Sequence, residues 1–314
     1  MAKFRQNHTR SRKKPFAGMM VKLLLIFGIL AALFIWSYQY LGDADTSAMS
    51  GDDRSYTEGG SSYDSDITDE TKSVLIPDNN SAEVVEHTHY LLGYNERHEQ
   101  ADWVSYILTK ESLRIPNVPR AKRFNEDPAV STRSVRHSDY TRSGYSRGHL
   151  VPAGDMAFDQ QAMQETFYMS NMSPQLSGFN GGIWKELEES VRDWAYKYDE
   201  LYVASGPIFS GVTKSIGQSS KIRVPDAFYK VVIDVYGRNK EGIAYIIPHE
   251  ISEQRLEDYA VTIDEVEEIT GLDFFRGAYA NASTEQKLES SFDIDYWPTS
   301  DKRYQNRINN WNHN

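Results

Sequence analysis

The chain of 314 residues contains no cysteine. This absence excludes disulfide bonds, zinc sites with thiolate ligands and a cysteine nucleophile. It does not fix the compartment in which the protein works.

The chain also lacks an overall excess of positive charge. Its formal net charge at pH 7 is -11, which argues against tight, nonspecific binding along a nucleic-acid duplex. The charge is unevenly distributed, because residues 87–150 carry a net +3 whereas residues 43–86 carry -10 and residues 151–314 carry -11. A local phosphate site within 87–150 is therefore compatible with the composition.

Acidic residues are missing from the N-terminal region, where a basic stretch precedes an apolar one. Residues 1–42 carry seven Lys/Arg and no acids, and residues 23–40 are uncharged. Eighteen residues of α-helix span about 27 Å, which is enough to cross a bilayer. We predict a basic cytoplasmic N-terminus (1–17), a transmembrane anchor (18–40) and an exported C-terminal bulk, so that the protein is a single-pass membrane protein. A cleaved signal peptide, giving a secreted protein, and a mitochondrial presequence are the alternatives.

The remaining chain divides into a linker, a globular domain and a tail. Residues 41–86 are rich in Ser, Gly, Asp and Glu and predict an acidic, flexible linker. Residues 87–300 mix strand and helix patterns without regular βαβ alternation, which predicts an α+β domain with a central, mostly antiparallel sheet flanked by helices. Residues 301–314 form a polar tail that is expected to fray.

Local patterns predict individual elements of this domain. Arg120–Pro128 has no period and predicts a loop, whereas Asn180 opens an amphipathic helix that continues to about Lys197. Thr262 and Glu265 form a capping box at the start of a short helix. The strand-like runs are Trp103–Leu108, Leu201–Ala204, Phe228–Val235 and Ile243–Ile247.

Three polar residues suggest a metal-assisted reaction at phosphate. His149 has an unperturbed pKa near neutrality and can act as a base. Asn180 and Glu188 lie eight residues apart and project near the same side of a helix if Asn180 opens it, where their oxygens suit Mg2+. Arg147 and Arg120 can contact phosphate in fork geometry. Spacing alone leaves simpler roles open, namely a structural histidine, a helix cap at Asn180 and a solvated charge at Glu188.

A resemblance to a known family narrows these alternatives. Tyr145-Ser-Arg-Gly-His-Leu-Val-Pro-Ala-Gly-Asp-Met156 resembles the active-site signature of the DNA/RNA non-specific endonucleases, which are ββα-metal (His-Me finger) nucleases of the endonuclease G-like kind. Thr166-Phe-Tyr-Met-Ser-Asn-Met-Ser-Pro-Gln175 and Phe179-Asn-Gly-Gly-Ile-Trp-Lys-Glu-Leu-Glu188 continue the resemblance in the same order. It extends from about Val84 to Phe275 and implies a ββα-metal core within the α+β domain.

The resemblance also implies roles for individual residues. It makes His149 the general base that deprotonates the attacking water, and Asn180 the direct ligand of a single Mg2+, with Mn2+ as an alternative ion. Glu188 would hold metal-bound water, and Arg147 would lie near the substrate phosphate. Asn171 would support the site.

For the arginine that stabilises charge in the transition state, the resemblance points to Arg120, with Arg123 as the alternative. One position departs from the commoner family pattern, which has aspartate where this chain has Ser146. Serine removes one negative charge from the surroundings of the metal, so we expect an altered metal affinity or metal preference with the fold kept.

The sequence thus predicts a nuclease that hydrolyses DNA and RNA with little sequence preference, contacts a membrane through its N-terminal helix and forms either a monomer or a homodimer. The first alternative is a nucleic-acid-binding relative that is catalytically weakened because of Ser146. A surface structural protein is the second alternative, and it is disfavoured because a scaffold needs none of His149, Asn180 and Glu188.

Overall fold

The computed structural model describes residues 67–211, 214–218, 220–237, 240–279 and 281–313. Within these ranges there is no helix with the length and hydropathy needed to cross a bilayer. The predicted cytoplasmic N-terminus (1–17), the anchor (18–40) and most of the predicted linker lie outside the described residues. They therefore stay predictions.

A seven-stranded sheet with the order β1-β2-β3-β6-β9-β10-β11 forms the centre of the described chain. Every neighbouring pair in it is antiparallel, which confirms the predicted mostly antiparallel sheet. Two separate antiparallel hairpins, β4–β5 and β7–β8, stand beside it. The strands are β1 (Glu83–Glu86), β2 (Leu91–Asn95), β3 (Gln100–Thr109), β4 (Ser146–His149), β5 (Met172–Gln175), β6 (Glu200–Ile208), β7 (Ser215–Ile216), β8 (Ile222–Arg223), β9 (Ala227–Asp234), β10 (Glu241–Pro248) and β11 (Ala260–Val261).

Helices connect and cover the strands. They are α1 (Asp69–Leu75), α2 (Lys110–Arg114), α3 (Gln160–Glu165), α4 (Ser177–Phe179), α5 (Lys185–Tyr198), α6 (Ile263–Thr270), α7 (Ala282–Ser290) and α8 (Asp301–Asn309), and a π-helical turn at Asn180–Trp184 joins α4 to α5. Short 3-10 turns occur at His137–Tyr140, Met169–Asn171, Leu256–Tyr259, Arg276–Ala278 and Trp311–His313. This arrangement is the predicted α+β class.

Both faces of the sheet are buried, because each carries apolar side chains at alternate positions. On β9, Phe228 and Val232 belong to the core under α5, which contributes Leu187 and Trp194. Tyr229, Val231 and Ile233 belong to the opposite core, under α1 and α6. By the same alternation Lys230 faces α5, and this fully buried lysine is placed next to the candidate site.

Several predicted elements are confirmed in detail. Thr262 caps α6 and forms the predicted capping box with Glu265, and Gly271 ends the helix in the left-handed conformation. The loop over Arg120–Pro128 contains only an isolated bridge at Asn125. The four predicted strands fall within or almost coincide with β3, β6, β9 and β10.

Two predicted boundaries differ from the structure. Residues 67–86, assigned to the flexible linker, form α1 and β1, because Val74, Leu75 and Val85 are buried against the sheet. The polar segment from Ser300 does not fray but forms α8, which is anchored by Arg307. This guanidinium is 0% exposed and pairs with the Glu186 carboxylate, so a polar sequence is held by ion pairing rather than by apolar contact.

Candidate active site

The β4–β5 hairpin brings two of the sequence motifs together. His149 on β4 lies opposite Met172 on β5. A Cβ atom at Gly148 would come within 2.1 Å of the buried Gln175 side chain, so this position requires glycine. The turn before β4 uses Gly144 with φ of 86°, a left-handed conformation that glycine adopts without strain.

Asn171 fixes the backbone that follows His149. Its main-chain carbonyl accepts from the Leu150 N–H at 3.1 Å, and its side-chain oxygen accepts from the Val151 N–H at 2.9 Å. Its side-chain nitrogen donates to the carbonyls of Val151 at 3.1 Å and Thr166 at 2.9 Å. The side chain is fully buried, so these bonds replace lost hydration. The predicted supporting residue is thus in direct contact with the His149 strand.

The His149 ring is enclosed by two aromatic side chains. Phe167 meets it edge-on with ring centroids 4.8 Å apart, and Phe124 lies 6.0 Å away. The Nε2 atom is buried and has no hydrogen-bond partner among the described residues. Burial, followed by the positive charge of Arg120, lowers the pKa of His149 to about 3. The imidazole is therefore neutral at neutral pH, with a lone pair that no protein donor occupies.

Two arginines lie against the same aromatic rings. The Arg120 guanidinium carbon is 5.0 Å from the Phe167 centroid, and that of Arg147 is 5.0 Å from the Phe124 centroid. Both distances are typical of cation–π contacts. The Nε atom of Arg147 is buried without a partner in the described structure. Two positive groups therefore flank the histidine.

Arg120 and its alternative, Arg123, are both exposed, and both line a groove of about 340 Å³. The positive charge of Arg120 acts to lower the pKa of both His149 and Glu188. Arg123 is not among the residues that shift either pKa. This difference supports Arg120 over Arg123 as the arginine of the site.

Asn180 follows α4 in a helical turn and does not open it, and the chain kinks two residues later at Gly182, whose φ of -98° and ψ of -113° are not helical. Its N–H donates to the Leu176 carbonyl at 2.9 Å, and α4 precedes it. The prediction that Asn180 is the first helical residue is therefore wrong, and so is the simpler role of a helix cap. The Asn180 side chain makes no hydrogen bond within the described residues and is partly exposed. Because the π turn separates Asn180 from Glu188, their spacing of eight residues cannot be read on a single α-helical wheel.

The segment before Asn180 is fixed by His249. The Leu176 N–H donates to His249 Nε2 at 2.8 Å, and His249 Nδ1 donates to the Pro225 carbonyl at 2.9 Å. The buried Phe179 ring packs against the same imidazole edge-on, with centroids 5.1 Å apart. The backbone entering Asn180 is thus tied to the loops at the ends of β8 and β10.

Glu188 extends from α5 over a buried group of charges. The carboxylate forms no hydrogen bond or ion pair with the described residues, and burial raises its pKa to about 7 against the opposing influence of Arg192 and Lys230. Burial lowers the pKa of Lys230 to about 8, while Glu188 and Asp155 oppose that shift. Asp155 is fixed in turn by hydrogen bonds of 2.7 Å from Tyr106 and from Arg192.

This buried group was not predicted from the sequence, although two signals for it exist. Lys230 is a charge within the apolar strand run Phe228–Val235, and Arg192 follows Glu188 by four residues, which places both on one face of the helix. Asp155 belongs to the histidine motif, but its partner Tyr106 is 49 positions away. That contact depends on how β3 packs against α5.

Ser146 lies at the start of β4, and its hydroxyl is 3.0 Å from that of Ser177, three residues before Asn180. The structure therefore links Ser146, which departs from the commoner family pattern, to the segment that carries Asn180, the predicted metal ligand. The contact runs through α4, and no direct bond joins Ser146 to Asn180 or Glu188 among the described residues.

The described residues resemble known nucleases in sequence and in fold. Residues 67–281 match the model of the DNA/RNA non-specific endonuclease family. Nuclease C1 of Cunninghamella echinulata var. echinulata is 38% identical over 207 residues, which cover 61% of this chain and 82% of that protein. Mitochondrial endonuclease G of Homo sapiens is 33% identical over 208 residues, which cover 62% of this chain and 70% of that protein.

A solved structure gives the same picture. In a crystal structure of the EndoG/EndoGI complex, the matching chain has a TM-score of 0.60 and 32% sequence identity to this protein. The match covers 65% of this chain and 89% of the other. The central sheet, the β4–β5 hairpin and α5 all lie within residues 67–281, which match the family model.

Proposed function

The chain belongs to the DNA/RNA non-specific endonuclease family, a family of nucleases, and we propose that it hydrolyses phosphodiester bonds in DNA and RNA with His149 as general base. The observation that carries the proposal is the position of Arg120, which acts on both His149 and Glu188. One positive group thus acts on both a neutral base and a carboxylate. That is a suitable place for a phosphate diester.

His149 takes the proton of the attacking water in this proposal. A pKa of about 3 makes the imidazole neutral but weakly basic, and an efficient base has a pKa nearer the working pH. A phosphate bound beside Arg120 would offset its positive charge, which raises the pKa of His149 towards that range. The base would therefore gain strength when the substrate is in place.

Arg120 and Arg147 bind the phosphate. Each guanidinium lies over an aromatic ring, at 5.0 Å from the centroid, which fixes its plane and leaves N–H groups for the phosphate oxygens. Because phosphate and sugar contacts carry no base information, such a site supports cleavage without sequence preference.

The donor set around Asn180 and Glu188 fits a hard divalent cation, Mg2+ or Mn2+. An amide oxygen without an internal hydrogen bond and a carboxylate without an ion pair are oxygen donors of the kind that Mg2+ prefers. Burial raises the pKa of Glu188 to about 7, although the charges of Arg192 and Lys230 act in the opposite direction. Bound there, the cation would supply a Lewis acid that stabilises negative charge on the phosphate oxygens. Asn180 would bind the cation directly, and Glu188 would bind the water molecules around it. Ser146 would influence both residues through its contact with Ser177.

The compartment is proposed from the N-terminal sequence and the relatives. The basic leader free of acids is shared by membrane anchors and mitochondrial presequences. Endonuclease G of Homo sapiens is named a mitochondrial protein, which favours the mitochondrial alternative. Import of the full chain into isolated mitochondria, with protease protection as the readout, tests this against export through a single anchor at 18–40.

Cleavage assays test the proposed function. The full chain is incubated with circular plasmid, linear duplex, single-stranded DNA and RNA, with Mg2+ and with EDTA. We expect Mg2+-dependent loss of all substrates and a decrease in rate of about a hundredfold or more in His149→Ala. His137→Ala is the matched control, because His137 is exposed, lies 5.8 Å from the same Phe124 ring between centroids and is not among the proposed site residues.

The same preparation distinguishes an active nuclease from a nucleic-acid-binding relative that is catalytically weakened. Retention of DNA without Mg2+-dependent cleavage by the unaltered chain would contradict the nuclease and favour the weakened relative. Equal rates for His149→Ala and His137→Ala would contradict the role of His149. Light scattering of the same sample distinguishes a monomer from the alternative homodimer.

A further inference from the structure

Five carboxylates gather at one end of the molecule, where α6, the segment after it and α7 meet. Two lie on α6, one follows it and two lie on α7. This acidic cluster consists of Asp264, Glu267, Asp273, Glu285 and Glu289. None of the residues proposed for the nuclease site belongs to it.

The oxygens of the acidic cluster are spaced for a shared cation. One ligand atom each from Asp264, Glu267 and Glu289 lies within 4.8 Å of the others, and so do those of Asp273, Glu285 and Glu289. Two oxygens bound on opposite sides of one Ca2+, at about 2.4 Å each, are about 4.8 Å apart. Glu289 belongs to both groups and is the centre of the cluster.

The burial of Glu289 points to a bound cation independently of the spacing of the carboxylate oxygens. Its side chain is only 8% exposed, and its Oε1 atom is buried with no hydrogen-bond partner among the described residues. The Tyr279 hydroxyl lies close enough to this carboxylate that burial and the negative charge together raise the pKa of the tyrosine, but Glu289 Oε1 itself has no hydrogen bond of good geometry. A buried carboxylate oxygen without a partner is costly, and this one lies among four further carboxylates.

No basic side chain forms an ion pair with the acidic cluster within the described ranges, although the charge of Arg276 acts on Asp273 and Glu285 from a distance. None of the five carboxylates takes part in an ion pair among the described residues. Arg276, which lies nearby, pairs with Asp78 at 2.7 Å. The Phe274 N–H donates to Glu267 Oε1 at 2.8 Å, which offsets only part of the charge. Burial and mutual repulsion raise the pKa of Glu267 to about 7 and that of Glu289 to about 8.

We propose that the acidic cluster binds a hard divalent cation, with Ca2+ preferred, and that the ion joins α7 to α6. Carboxylates without histidine or cysteine select hard cations, and several carboxylates on three chain segments suit the larger, flexible coordination of Ca2+ better than the strict octahedron of Mg2+. The structural consequence is local, because α6 and α7 both pack on β10 near the edge of the sheet. Glu285 and Glu289 lie beyond residues 67–281 that match the family, whereas the other three carboxylates lie within them.

Cation binding is measured by equilibrium dialysis of the full chain carrying Asn180→Ala, which removes the proposed nuclease-site ligand. Ca2+ alone and Mg2+ alone are compared at constant ionic strength. We expect Ca2+ to bind more tightly than Mg2+, and the Ca2+ affinity to fall about tenfold or more when Glu289→Gln is added. Glu268→Gln is the matched control, since Glu268 lies on α6 next to Glu267, is exposed and is outside the acidic cluster.

Thermal unfolding gives a second readout that does not depend on catalysis. Ca2+ is expected to raise the melting temperature of the unaltered chain and of Glu268→Gln by several degrees, and to leave that of Glu289→Gln unchanged. In EDTA, Glu289→Gln should melt at or above the unaltered chain, because the amide removes repulsion. If Glu289→Gln does not fold, Glu267→Gln provides the same comparison.

Equal Ca2+ affinity in Glu289→Gln and Glu268→Gln would overturn the proposal, and so would the absence of Ca2+ binding at millimolar concentration. Mg2+ binding as tight as that of Ca2+ would overturn the assignment of calcium. These results are independent of the nuclease assays, because the site and the variants are separate.

Discussion

Asn171 and Val151 are joined by two hydrogen bonds in opposite directions. The Val151 N–H donates to the Asn171 side-chain oxygen at 2.9 Å, and the Asn171 side-chain nitrogen donates to the Val151 carbonyl at 3.1 Å. This pair fixes the chain two residues after His149. The position of the proposed base therefore depends on an amide from the 3-10 turn that precedes β5.

Replacing Asn171 by alanine removes both bonds and the further bond to the Thr166 carbonyl. Three buried main-chain groups then lose their partner, and we expect the free energy of unfolding to fall by about 3 kcal/mol. Cleavage should decrease as well, because the loop after His149 is released. Urea unfolding and plasmid cleavage measure the two effects. Asn117→Ala, an exposed asparagine, should change neither, and equal effects of both substitutions would contradict the prediction.

The half-buried imidazole of His149, whose pKa is lowered, should make stability depend on pH. The unfolded chain protonates this histidine near pH 6.5, whereas the folded protein does so only near its lowered pKa of about 3. The unfolded state therefore binds more protons between these values, and the folded state loses stability as the pH falls. Between pH 7 and pH 5 the loss attributable to His149 is at most about 2 kcal/mol.

Urea unfolding of the unaltered chain and of His149→Asn at the two pH values measures this contribution. The unaltered chain should lose more stability than the variant, which has no imidazole at this position. Nuclear magnetic resonance of the labelled ring should show no titration of His149 above pH 5. A midpoint near 6.5 would instead mean that the ring is hydrated in the folded protein.

Gly181 and Gly182 form a matched pair in the π turn after Asn180. A Cβ atom at Gly182 would lie 2.7 Å from Asn312 Oδ1, whereas one at Gly181 would meet no atom within 4 Å. Asn312 cannot easily move, because it is 7% exposed and donates to the Ser252 carbonyl at 2.9 Å. We expect Gly182→Ala to lower kcat/KM and Gly181→Ala to leave it near the original value.

Steady-state cleavage kinetics of the two glycine variants give this comparison. Adding Asn312→Ala to Gly182→Ala should restore much of the activity, since it removes the atom in collision. If Asn312→Ala does not restore activity, the loss of activity in Gly182→Ala does not come from a collision with Asn312 in the C-terminal segment.

Ser146 should influence metal use through Ser177 and α4. Ser146→Asp adds a negative charge next to the segment that leads to Asn180. We expect half-maximal cleavage at a lower Mg2+ concentration and a changed ratio of Mg2+-supported to Mn2+-supported activity. Titration of both metals against the cleavage rate measures this, with Ser177→Ala as the control that removes the hydroxyl contact without adding charge. Identical metal profiles for Ser146→Asp and the unaltered chain would contradict the idea.

The central sheet and the capping of α6 were predictable from the sequence because their signals are local. Alternation in Phe228–Val235 and the capping box of Thr262 and Glu265 depend on neighbours within a few residues. The end of the predicted linker and the C-terminal tail were not predicted correctly. Val74 and Leu75 find an apolar partner only in the folded sheet, and the burial of Arg307 depends on Glu186, 121 residues away.

The sequence by itself determined the family, through three motifs kept in order, and with it the proposed base, metal ligand and arginines. Only the tertiary structure decided how these residues are arranged. It placed α4 before Asn180 and a kink at Gly182 after it, put the charge of Arg120 where it acts on both His149 and Glu188, and placed Lys230 and Asp155 beneath the site. The physical reason is that motif residues are read along one segment, whereas burial and charge at a site are summed over every strand and helix that meets there.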